Sequence, residues 1–202
     1  MKKSGFLIIA IGVFFMGAAY GQITGTAHDF SSAGWSGGNI CLACHTPHNG
    51  DQTVPEAPLW NHAVTGSSFT MYTGTTMDAT TSQPSGESLL CLSCHDGTIA
   101  LDSYGGATGT NYISGTGNLG TDLSNDHPIS FDYNTALAAL DGGLHDPSTT
   151  PTALGGTIDH DLLFGGRMQC SSCHDVHNAE GNTYLLRISN VGSALCLTCH
   201  NK

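Results

Sequence analysis

Residues 170–200 read CSSCHDVHNAEGNTYLLRISNVGSALCLTCH. One phrase, Cys-x-x-Cys-His, opens the stretch at Cys170-Ser171-Ser172-Cys173-His174 and closes it at Cys196-Leu197-Thr198-Cys199-His200, with a further histidine, His177, between the copies. Two more copies lie upstream, Cys41-Leu42-Ala43-Cys44-His45 and Cys91-Leu92-Ser93-Cys94-His95, so the phrase uses all 8 cysteines of the chain. The spacing has a chemical reason. On a helical turn residues i, i+3 and i+4 share one face, so two thiols and one imidazole can address a flat ligand from the same side. Two thioethers to the vinyl groups and an imidazole on the iron are the attachment chemistry of c-type haem.

Zinc sites and disulfides also use paired cysteines, and an even cysteine count in a short exported chain makes them a fair alternative. Neither requires histidine after every pair. Histidine is 11 of 202 residues, so four such placements by accident have a probability on the order of one in 100,000. The phrases are therefore read as sites for four covalently attached haem c groups, with His45, His95, His174 and His200 as proximal iron ligands.

The chain begins Met1-Lys2-Lys3, followed by an apolar run from Gly5 to Ala19 and the small residues of Ala19-Tyr20-Gly21. This pattern predicts a signal peptide over residues 1–21 and export to the periplasm or to the extracellular side or cell surface. The run is short of the roughly 18 to 20 apolar residues that span a bilayer, and no membrane span is expected in the mature form. Cleavage would remove Lys2 and Lys3, leaving Arg167, Arg187 and Lys202 against 16 acidic residues, 3 − 16 = −13. That charge disfavours nucleic acid and anionic lipid as partners.

Residues 22–202 are expected to form a single tetrahaem domain: an N-terminal haem pair over 41–95, loops rich in Gly, Thr and Ser over 65–86 and 103–120, and the doubled C-terminal unit over 170–200. The copies start 50, 79 and 26 residues apart, which excludes a solenoid of fixed period. Glycine is 27 of 202 residues, and strand and helix signals are weak. The expected fold is mostly coil with short α-helices at the four phrases, another near residues 134–140, and few strands. With little sequence to build a large side-chain core, the haems are expected to serve as the core, and the haem-free chain to be largely unstructured.

Four irons need four distal ligands, and seven histidines remain. The mature chain has only Met71, Met77 and Met168 as thioether alternatives, so bis-His ligation is expected throughout. Axial ligands approach from opposite faces of the porphyrin. His177, one turn from His174, therefore serves a different haem from His174, and the one held by Cys196 and Cys199 is the expected choice. His48, three residues after His45, repeats the arrangement. His127 precedes Pro128, which favours an extended backbone that can lay a side chain on a haem face. His62 follows Trp60, and His28 stands in the N-terminal arm. These five are the distal candidates, at most four per chain, the remainder being surface groups or hydrogen-bond partners of a ligand. His145 and His160, among aspartates, read as surface residues.

The stretch 170–200, with His28-Asp29-Phe30-Ser31, Cys44-His45-Thr46-Pro47-His48-Asn49, Leu59-Trp60-Asn61-His62 and His127-Pro128-Ile129, resembles the doubled-CxxCH family of multihaem cytochromes. In size and haem number the chain is similar to the tetrahaem subunits of extracellular cytochrome filaments of metal-respiring bacteria. That resemblance implies a homo-polymer in which one axial histidine is given to the adjacent subunit, with His48 the first candidate donor and His28 the second.

Electron transfer is the expected function, with other redox proteins or extracellular acceptors as partners and no enzyme activity. The alternative is a multihaem reductase of a small oxyanion, which needs one open iron and cationic groups to hold the anion. Here every proximal residue is histidine, distal candidates exceed demand, and basic residues are nearly absent.

Overall fold

The computed structural model of the chain describes residues 22–54 and 56–201. The expected signal peptide at 1–21 lies outside the described residues. Coil and turns dominate, as expected. The longest helix is α1 (Gly86–His95), of 10 residues. It is followed by α2 (Thr135–Asp141), α3 (Ile158–Leu162), α4 (Cys170–Cys173) and α5 (Ala194–Cys199). Strands β1 (Thr70–Met71) and β2 (Asp122–Leu123) pair in parallel, and β3 (Phe131–Asp132) pairs antiparallel with β4 (Arg167–Met168).

Local chemistry sets where these short elements begin and end. The Asn134 side chain accepts the Leu137 N–H at the start of α2, and Gly142 closes the helix at φ 66°, the left-handed conformation that glycine adopts without penalty. Helix α3, which no sequence signal marked, is capped by Thr157, whose hydroxyl accepts the His160 N–H. Ser172 Oγ accepts the Gln169 N–H at 2.8 Å at the start of α4.

Three of the four phrases lie on helices; the first does not. Residues 41–45 make one turn, with the N–H of Cys44 and of His45 both reaching the Cys41 carbonyl, and the chain then turns extended. Pro47 is the physical reason, because it pushes Thr46 out of the helical region.

Side-chain burial is uneven. Phe131, Tyr133, Ala138, Ile158, Leu162, Leu163, Met168 and Ile188 form one buried cluster, whereas Phe69, Leu92 and Leu123 form a smaller one around α1 and β2. A polar seam joins the halves. Ser88 of α1 donates to Gln169 Oε1 at 2.5 Å and accepts the Cys170 N–H at 2.9 Å. The Arg167 guanidinium donates to Ser85 Oγ, Ser82 Oγ and the Ser130 carbonyl at 2.7, 2.6 and 2.6 Å. These bonds hold the second and third phrases side by side. Among the described residues no helix is long and apolar enough to cross a membrane.

Candidate haem sites

Each phrase ends where its histidine meets a distant stretch of backbone. His45 Nδ1 lies 2.9 Å from the Pro58 carbonyl, His95 Nδ1 2.7 Å from that of Gly117, and His174 Nδ1 3.0 Å from that of Tyr184. A carbonyl only accepts, so these contacts place the proton on Nδ1 and leave the Nε2 lone pair for a metal. The supporting segments are docked by backbone bonds: Asn61 N–H to the Cys44 carbonyl at 2.9 Å, Leu119 N–H to that of His95 at 2.8 Å, and Arg187 N–H to that of Cys173 at 2.9 Å. At the fourth phrase Leu144 bridges to His200, and Tyr133 Oη donates to the His145 and Cys199 carbonyls. The loop 103–120 thus has a task, since Gly117 orients His95. Sequence reading missed these carbonyls because any residue carries one.

All 8 cysteines are free thiols. Burial pushes Cys44 up to about 11 and Cys94 and Cys199 up to about 12, so their sulfurs face poorly hydrated surroundings. A hydrogen bond between the Cys91 and Cys170 thiols raises the first and lowers the second to about 7.

Histidines from remote parts of the chain face three of the four proximal ones. Ring centres are 6.2 Å apart for His45 and His177, 5.9 Å for His28 and His95, and 6.3 Å for His127 and His200. A metal–imidazole bond of about 2 Å on each side, plus roughly 1.1 Å from each nitrogen to its ring centre, separates two rings sharing one metal by about 6.2 Å. All three pairs stand near that separation. Burial, then the neighbouring His95 and His174, lowers His28 to about 4, which keeps it in the neutral form that binds metals. Among the described residues no three His, Cys, Asp or Glu side chains converge on a single bare ion. Paired imidazoles beside buried thiols fit a flat, covalently held haem.

Two of the histidines stand elsewhere than expected. His177 stands against His45 and not against His200, because the turn after His174 carries it toward the N-terminal arm, where its carbonyl accepts the Gln22 N–H at 2.6 Å. His62, expected as a distal ligand, faces no proximal histidine. It is 4% exposed, its ring nitrogens lie 2.7 and 3.0 Å from the Ala63 and Ala100 carbonyls, and its Nε2 lies 3.5 Å from Cys94 Sγ. The bridge from His62 to Tyr104 fixes its segment there. His48 and His160 are exposed and His145 is half-buried. Met168 is buried in the larger cluster, Met77 packs on it, and Met71 packs on the smaller one, so all three thioethers are engaged in side-chain packing.

Residues 160–202 match the family described as the doubled CXXCH motif. A comparison with curated proteins gives no match. The matched segment supports a multihaem c-type cytochrome family and indicates covalently bound c-type haem as the cofactor.

Proposed function

We propose that the chain is an exported tetrahaem electron-transfer protein, acting in the periplasm or outside the cell, whose copies polymerise by sharing an axial histidine. Haem c would supply the one-electron couple. The chain's part is to hold four such groups close together with both axial positions of each iron filled. His28, His177 and His127 would complete the irons of His95, His45 and His200 within one chain. The observation that carries the polymer is what remains. Among the described residues no imidazole ring faces His174 at the spacing of the other three pairs, and His174 and His48 are both exposed. His48 of one copy would serve His174 of the next, giving a head-to-tail interface that repeats without closing.

Negative-stain microscopy of the haem-loaded protein tests this. Filaments are expected from the native sequence, and dispersed particles from His48→Ala, with three irons still low-spin and the fourth binding carbon monoxide when reduced. Filaments unchanged by His48→Ala would refute the shared ligand; a native protein that stays monomeric would refute the polymer. Rapid carbon monoxide binding at one iron in assembled native protein would favour the reductase alternative.

A further inference from the structure

The three facing pairs differ in twist. The rings of His45 and His177 are nearly parallel, at 18°, those of His28 and His95 are inclined at 52°, and those of His127 and His200 stand close to perpendicular, at 75°. The surrounding chain holds these orientations. The Pro58 carbonyl fixes His45 through Nδ1 at 2.9 Å, and Trp60 stands edge-on to the same ring at 89°. Across from it, the Asp175 carboxylate lies 3.7 Å from His177 Nδ1. His127 Nδ1 lies 2.9 Å from the carbonyl of Pro128, whose own backbone is restricted by its ring. His28 Nδ1 is buried with no partner.

Twist matters because an imidazole donates π density along one direction only, perpendicular to its plane. Parallel rings raise the same iron d orbital and leave its twin behind; crossed rings raise both alike. In ferric iron the hole occupies the raised orbital, so a parallel pair stabilises the oxidised state more than a crossed pair. The near-parallel rings of the His45–His177 pair therefore favour ferric iron.

Resting on the bis-imidazole reading above, we infer that this chain grades its irons electronically through ring orientation. The iron between His45 and His177 carries a rhombic low-spin ferric spectrum and is the harder of the two extremes to reduce. The iron between His127 and His200 carries a strongly anisotropic low-spin spectrum and takes an electron before it. An electron entering at the first phrase is thus drawn toward the last.

Electron paramagnetic resonance of the frozen, fully oxidised, haem-loaded protein, repeated along a reductive titration, tests the grading without any substitution. Both signal types are expected, with the anisotropic one lost first. His177→Met and His127→Met then assign them: each keeps its iron six-coordinate and should delete only the rhombic or only the anisotropic signal, respectively. Uniform signals, the reverse order of reduction, or the reverse assignment would overturn the grading while leaving the ligand reading intact. Absence of bis-imidazole low-spin signals altogether would instead overturn the ligand reading itself.

Discussion

The two halves of the molecule solve the same problem with different means. Around residues 131–188 an antiparallel strand pair, two capped helices and eight buried side chains make a core that stands beside the attachment sites. Around residues 22–123 the buried cluster is three residues, with Ala43, Trp60, Leu90 and Ala100 buried outside it, and the chain is held largely by single backbone bonds, buried hydroxyls and carboxylate turns. Asp96, for example, accepts from the Thr65 and Thr98 hydroxyls at 2.6 and 2.8 Å. Where apolar side chains are few, a porphyrin has to supply the buried surface that offsets the entropy of ordering the chain. On the tetrahaem reading, haems at the first two phrases would therefore matter more to the fold than those at the last two.

The largest expected effect breaks this comparison directly. In the chain produced without haem, hydrogen exchange should show residues 22–123 unprotected and protection persisting around Tyr133, Ile158 and Leu162. Equal loss in both halves would mean that the C-terminal cluster does not stand without haem either. Next, Ile158→Ala, which empties a fully buried position, should cost about 2–5 kcal/mol in denaturant unfolding of the C-terminal half.

A smaller effect is expected at Asp161. Its carboxylate accepts from the Thr152 hydroxyl, from the Gly156 N–H at 2.9 Å and from His160 Nδ1 at 2.7 Å, tying residues 150–161 into one loop. Burial opposes its ionisation, but the bonds from Thr152, His160 and Gly156 outweigh burial and hold the carboxyl below its ordinary value of 3.8. Between the lowered value and 3.8 the unfolded chain binds more protons than the folded one. The stabilisation is therefore full above about pH 4 and is lost as pH falls through the lowered value. Asp161→Asn should remove about 1.5–3 kcal/mol at neutral pH and flatten this acid dependence, read from melting curves across pH. The smallest change is Asn134→Ala at the cap of α2, expected to cost about 1 kcal/mol in the same melts.

The attachment sites were legible because their chemistry is local. Two sulfurs and an imidazole within five residues define a site wherever the phrase sits, and helices α1, α2 and α5 formed where capping and spacing indicated. The first phrase departed from a helix because of Pro47, which stood in plain view. The distal ligands were not legible to the same degree. Their types and number could be enumerated, but which proximal histidine each one meets depends on contacts between residues far apart in the chain, 95 − 28 = 67 positions for His28 and His95, 200 − 127 = 73 for His127 and His200 and 177 − 45 = 132 for His45 and His177. His62 shows the limit well, since an aromatic neighbour suggested haem packing, whereas its ring nitrogens lie beside two main-chain carbonyls. The buried cluster was equally hidden. Its members are scattered singly from Phe131 to Ile188 with no sustained period, and only the β3–β4 pairing and the packing of α3 on α4 bring them together.

By itself the sequence determined the class of cofactor, the positions of the four Cys-x-x-Cys-His phrases, the coil-rich character of the fold and the acidity of the chain, because each follows from residue types and near-neighbour spacing. Only the tertiary structure decided which imidazoles pair with one another, at what twist, and that among the described residues His174 has no partner ring at that spacing. Those depend on where distant backbone segments dock, and docking is set by carbonyls and buried contacts that leave no mark in a sequence.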